Sequence, residues 1–548
     1  VTHEPSAPPS DPPTDQRTVL LRGGEVHSPA DPFATALLVD RGSVAWVGSE
    51  GAADVHADGV DEVVDLQGAL VAPAFVDAHV HATATGLALT GLDLSGAATL
   101  AEALDLVERH ARARRGGVVL GHGWDETRWP ERRPPTRAEL DRATYGGVAY
   151  LSRVDVHSCV VTSALVAAAP EVRAADGWDE QGPLTRDAHH VARRVAQGSV
   201  GESQRRAAQR ATRARAAELG IGAFHELAGP DISSPEDLAG LLALAREEPG
   251  PQVLGYWGEL GGVERARELS ALGAAGDLFA DGALGSRTAS LRADYADAEH
   301  AGHAYLSAAQ VRDHVVACTR AGLQAGFHAI GDAALDVVLA GLREAAAEVG
   351  LPALRTARHR IEHAEMLDAA AVAALAELGA VASVQPVFDA LWGGAEGMYA
   401  ERLGAERALG LNPYADLAAA GVPLALGSDA PVTPLGPWEA VRAAAFHHVP
   451  AQRLSVRSAF TAHTRGGWRA AGRDDAGVLV PGAPATYAVW EAGELVVQAP
   501  DDRVAAWSTD PRSGTPGLPD LTPGTPAPRC LRTVVDGRVV HDVEGALT

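Results

Sequence analysis

Phe75-Val76-Asp77-Ala78-His79-Val80-His81 is a short apolar run that closes on two histidines. On a strand, residues i and i+2 point to the same face. His79 and His81 should therefore project together, roughly 7 Å apart at their Cα atoms from the rise of a strand. Two imidazoles at that spacing can share one cation. Taken alone, the pair has a bland reading, two histidines satisfied by backbone or water, and its meaning depends on what the chain does next.

Outward from this strand, from about 73 to 470, short apolar runs ending in polar clusters alternate with Ala-rich helical stretches. GAFHE, LFADGAL, QAGFHAIGD, HRIEHAE, VASVQP and PLALGSDAP are the strand-like pieces; VGESQRRAAQRATRARAAELG and AALDVVLAGLREAAAEVG are helical. Such alternation implies parallel strands joined by crossover helices, and around eight units predict an α/β fold, a distorted (β/α)8 barrel. An open doubly wound sheet is the alternative. Against it, no GxGxxG follows the first strand, and a barrel gathers all the polar strand ends on one face. The block at about 90–200 is too long for one βα unit and reads as an insertion near the mouth. Residues 17–72 and 471–548 are β-rich and are expected to combine into one small composite domain, while 1–16, rich in Pro, Ser and Asp, read as a disordered arm.

Composition narrows the chemistry. The net charge of −25 argues against nucleic acid and against an anionic membrane as partner. All 46 basic residues are arginine, so Schiff bases, Walker-type phosphate sites and carbamylated-lysine metal bridges are impossible. The three cysteines, Cys159, Cys318 and Cys530, are scattered without a CxxC and suit a reducing compartment. No signal-like leader stands at 1–16 and no run of about 18 apolar residues occurs, so the cytoplasm is the expected location. A homodimer is the default assembly.

Three further strand ends carry ligand types: His328 in AGFHAIGD, His363 in RIEHAE and Asp429 in LALGSDAP. With His79 and His81 they stand at the ends of the first, fifth, sixth and eighth predicted strands, which a barrel brings to one point. Such a His/Asp set suits Zn2+, with Mn2+ or Fe2+ as alternatives.

The motifs APAFVDAHVH, GWDETRW, LSRVDVHS, FADGALGSRTA, FHAIGDAAL, RIEHAE, SVQP and GSDAPV together resemble the amidohydrolase superfamily, in particular its branch of metal-dependent amidases and formamide deformylases, from about 17 to 545. The resemblance implies a distorted (β/α)8 barrel with a small β-sandwich made from both chain ends. It also places His79, His81, His328, His363 and Asp429 at metal and catalytic positions. Many relatives bridge two metals with a carbamylated lysine; here that place falls on Asp277, a side chain short for the reach, with Glu226 as the other candidate carboxylate. One tightly held metal is expected, with a carboxylate-bridged pair as the alternative.

The mechanism so implied uses a divalent cation, which lowers the pKa of water toward ~7. Asp429 acts as general base, and His363 or His328 stabilises the oxyanion on the amide. Trp124, Asp125, Asp155, His157, Arg287 and Gln385 match motifs near the mouth and are candidate substrate contacts, although Trp124 can simply pack and Arg287 can pair with an acid such as Asp281. The expected function is hydrolysis of C–N bonds in small non-peptide amides, N-acyl or N-formyl compounds. A deaminase, lyase or decarboxylase on the same scaffold and a non-catalytic barrel are the alternatives.

Overall fold

The computed structural model describes residues 16–113, 118–498, 507–508 and 516–547; of the arm expected at 1–16, all but the last residue lies outside them. The molecule is built around eight parallel strands: β1 (Phe75–Val80), β2 (Ile221–Ala228), β3 (Gln252–Trp257), β4 (Gly273–Ala274), β5 (Gln324–Ala329), β6 (Arg360–His363), β7 (Val381–Val384) and β8 (Leu424–Leu426). They form two arcs, β3-β2-β1 and β4-β5-β6-β7-β8. The arcs meet at two seams. At one, Asp429 N donates to His79 O at 2.8 Å and His81 N to Ala430 O at 2.9 Å; at the other, Leu272 N donates to Gly255 O at 2.8 Å.

The result is a TIM-barrel-like α/β fold whose hydrogen-bonded sheet is not one closed ladder. The physical reason lies in β4 and β8, which contribute two and three residues and leave too little paired backbone at the seams. β1, β2, β5, β6 and β7 are buried along their whole length, as expected of parallel strands covered on both faces.

Helices pack outside the strands. Ala308–Ala321 shows why the chain folds locally as it does: Ser307 and Gln310 form a reciprocal capping box, and Gly322 ends the helix in the left-handed region at φ 70°. Its Val311 and Val315 join Leu335 and Leu342 of the next helix, Asp332–Val349, in the main core.

The block read as an insertion builds its own five-stranded sheet, in the order 184–185, 158–161, 149–153, 119–124, 92–93. Leu100, Val107, Trp124, Trp129, Leu140 and Leu151 cluster behind it. Both chain ends meet in a third five-stranded sheet, 25–26, 70–73, 487–491, 529–535 and 538–542. Leu21 and Val39 of a neighbouring N-terminal sheet share a core with Tyr487 and Val534 of it. Among the described residues, no helix is long and apolar enough to cross a membrane.

Candidate metal centre

At the C-terminal ends of the eight strands, six buried atoms lack a hydrogen-bond partner: Nε2 of His79, His81 and His363, Nδ1 of His328, and Oδ1 of Asp277 and Asp429. They converge. Asp277 Oδ1 lies 3.5 Å from His79 Nε2, 3.5 Å from His328 Nδ1 and 3.9 Å from His363 Nε2, and its Oδ2 lies 3.1 Å from His81 Nε2. Asp429 Oδ1 lies 3.3 Å from His79 Nε2 and 3.2 Å from His81 Nε2. Ligand atoms of three overlapping sets, His79–His81–Asp277, His79–His363–Asp429 and Asp277–His328–His363, fall within 4.8 Å of one another.

The other nitrogen of each ring is held from behind. His79 Nδ1 meets Glu362 Oε2 at 3.0 Å, His81 Nδ1 meets Leu227 O at 3.0 Å, His328 Nε2 meets Gly282 O at 3.1 Å, and His363 Nδ1 meets Gln385 Oε1 at 2.8 Å. All four partners are acceptors, so each ring donates outward and keeps its lone pair for the centre. This is the arrangement of a metal-ligating histidine, and the donor set fits a divalent cation.

Electrostatics agree. Burial works against protonation of His79, but Asp429 and Asp277 outweigh it and hold its pKa well above the ordinary imidazole value. The same opposition leaves His81 raised to about 9. Burial likewise resists ionisation of Asp277, yet His79, His328 and His363 hold its carboxyl well below the usual range. Two carboxylates among four imidazoles thus attract positive charge, which protons or a cation can provide.

Asp277 reaches the centre because the backbone carries it there. β4 is short, and Gly276 turns at φ 105° with a would-be Cβ only 2.8 Å from Leu227 Cδ1, so the following residue enters the ring. Glu226 stands apart from the three sets. Its Oε2 accepts from Ala82 N at 2.7 Å, and burial raises its carboxyl to about 8. His363 and Asp429 both sit in the left-handed region, at φ 70° and 55°. A non-glycine residue held there costs on the order of 1–3 kcal/mol and persists where the surroundings over-determine it; here it aims both side chains inward.

The candidate substrate residues divide. Asp155 and His157 line a cavity together with His328, His363 and Asp429, and the His157 ring lies 4.9 Å from that of His328. Gln385 stands behind His363. Trp124 is buried in the insertion, its indole N donating to Leu151 O at 2.9 Å. Asp125 accepts from Thr127 N at 3.0 Å and lies 3.3 Å from Arg153. Arg287 pairs with Asp297 at 2.6 Å rather than with Asp281, whose carboxylate accepts from Ser290, Ile330 and Gly331.

Sequence reasoning passed over Glu362 and Arg360. Arg360 Nε donates to Glu362 Oε1 at 2.5 Å and Nη2 to Oε2 at 3.0 Å. Their i, i+2 spacing on β6, the rule that paired His79 with His81, was signal enough to find them. Phe388, Trp392 and Tyr399, which line the same cavity, carry no such local sign.

A model of the family described as "Amidohydrolase family" matches residues 62–541. Among curated proteins, "Protein LONG AFTER FAR-RED 3" of Arabidopsis thaliana is 28% identical over 512 residues, 84% of either chain. "N-substituted formamide deformylase" of Arthrobacter pascens is 26% identical over 462 residues, 78% of this chain and 83% of its own. Among solved structures, an uncharacterized metal-dependent hydrolase from Pyrococcus horikoshii superposes with a TM-score of 0.70 at 26% identity, covering 87% of this chain and 98% of that one.

Proposed function

Since the chain belongs to the amidohydrolase family, we propose that it is a metal-dependent hydrolase of carbon–nitrogen bonds in non-peptide amides, N-acyl and N-formyl compounds among them. The observation that carries this is the convergence of six buried, unpartnered ligand atoms beside three cavities. His79, His81, Asp277, His328, His363 and Asp429 would hold one divalent cation, or two sharing Asp277; imidazole and carboxylate suit Zn2+, Mn2+ or Fe2+. When bound, such a cation supplies Lewis acidity and a water acidic enough to react near neutrality.

The chain's own groups would do the rest. Asp429 would take a proton from the attacking water and return it to the leaving nitrogen. His81 lines two cavities and His328 and His363 a third, so the two sides of an amide would have separate places to rest. Phe388, Trp392 and Tyr399 would wall off water on the second side.

The test is metal quantitation coupled to a screen of N-acyl, N-formyl and cyclic amides with metal-loaded protein. Release of acid and amine by the wild type, abolished in Asp429→Asn, is the expected result. Release of ammonia instead, or no bound metal and no turnover, overturns the proposal.

A further inference from the structure

One cavity that His81 lines is walled by Leu87, Leu92, Leu120, Val200 and Ile232, with Pro431 and Arg193 also in its lining. Arg193 is buried, 6% exposed. Its guanidinium donates to Asp231 O at 3.1 Å and to Val156 O, and lies 3.3 Å from His189 Nε2. These are backbone carbonyls and a ring; among the described residues no carboxylate comes within ion-pair distance of it.

Other buried arginines are accounted for. Arg153 pairs with Asp125, Glu126 and Asp155, Arg360 with Glu362, and Arg402 with Asp297 and Glu126. Arg137 covers Trp178 at 4.3 Å, and Arg213 donates to Leu244 O and Glu248 O; neither borders the cavities that flank the centre.

A guanidinium held in an apolar cavity without a counter-charge is unfavourable. The contacts of Arg193 with Asp231, Val156 and His189 engage three of its five N–H groups and leave its charge unbalanced. Its planar fork matches a carboxylate. The histidine beside it, His189, supplies no anion either, since an imidazole is neutral or cationic. The charge also lies close to the chemistry, since Arg193 holds the carbonyl of Val156, and the ring of the next residue, His157, is 4.9 Å from that of His328.

We propose that Arg193 receives a carboxylate carried on an apolar arm of the substrate, so that the preferred substrates are N-acyl or N-formyl compounds that bear a free acid. Turnover of such compounds rests on the hydrolase reading given above; their recognition does not.

Two measurements separate the questions. In the first, calorimetric titration of the metal-loaded full chain compares 4-methylpentanoate with its neutral isostere 4-methylpentanamide. A charge-assisted contact predicts about 10- to 100-fold tighter binding of the acid, lost in Arg193→Gln and partly kept in Arg193→Lys. Equal affinity for the two probes in the wild type, or an acid preference that survives Arg193→Gln because the acid sits on the metal, overturns the assignment.

In the second, N-formyl-leucine is compared with N-formyl-3-methylbutylamine as substrate of the wild type, which needs no variant to fold. A kcat/KM ratio of about 10 or more for the acid, carried mainly by KM, is expected; a ratio near one overturns it. Acid-selective binding through Arg193 with neither compound hydrolysed would leave the pocket standing and remove the hydrolase reading.

Discussion

Nδ1 of His79 lies 3.0 Å from Oε2 of Glu362, and both side chains are buried. Arg360 clamps the same carboxylate. Burial opposes its ionisation, but the guanidinium wins and brings Glu362 down to about 2. A permanently charged acceptor behind the ring fixes the proton on Nδ1 and leaves Nε2 for the centre, so a residue that touches no reacting atom decides what His79 can bind.

Glu362→Gln keeps the shape and removes that charge. Metal affinity should fall about 10- to 100-fold, the usual effect of losing such a backing group, and the melting temperature should drop because Arg360 loses its buried partner. Titration against a chelating dye checks the first and thermal unfolding the second; unchanged metal affinity would mean the contact is only structural.

Asp429→Asn should lower turnover by at least ~10²–10⁴-fold, the range for a lost acid–base group. His79, His81 and Asp277 are untouched, so the variant should still bind metal and melt close to the wild type. Activity within a few-fold of wild type would contradict the role given to Asp429.

Removal of metal should destabilise the fold, because the ligand set ties together the C-terminal ends of β1, β5 and β6, the turn after β4 and the segment after β8. Free metal at a hundred times its Kd contributes about 2.7 kcal/mol. Scanning calorimetry of chelated and reconstituted protein should show the reconstituted form melting higher; superimposable melts would count against a site built by the native fold.

Acid should destabilise the protein through a histidine away from the centre. His359 Nδ1 accepts from Ala325 N at 2.9 Å, and its Nε2 meets Thr319 Oγ1 at 2.8 Å while that hydroxyl donates to Val315 O at 2.7 Å. The ring is therefore neutral, and burial, with His314 adding to it, pushes its pKa down to about 4. The unfolded chain takes up this proton near pH 6.5. Stability from this site is present above about pH 6.5 and is lost as pH falls through that range, reaching about 3 kcal/mol by pH 4. Denaturant melts between pH 7 and 4 should show the loss, and His359→Gln should flatten it; an unchanged slope in the variant would contradict the assignment.

The legible part of this protein was the part written in local periodicity. His79 and His81 share a face because a strand has a period of two, and the order of the strands placed His328, His363 and Asp429 at the same mouth. Asp277 looked too short because its approach depends on the backbone turn at Gly276, which side-chain length does not reveal. The interrupted seams follow from strands of two and three residues, shorter than the apolar runs in the sequence suggest. The partners of Trp124, Arg287 and Arg193 lie 27, 10 and 37 residues away, and nothing local announces them.

The central claim is that six side chains from five places around the barrel converge on one metal centre. An anomalous difference map from crystals of zinc-loaded protein, recorded at the zinc edge, tests it most directly. The account predicts a peak in contact with His79 Nε2, His81 Nε2 and Asp277; a featureless map there, with zinc bound elsewhere or not at all, would contradict it.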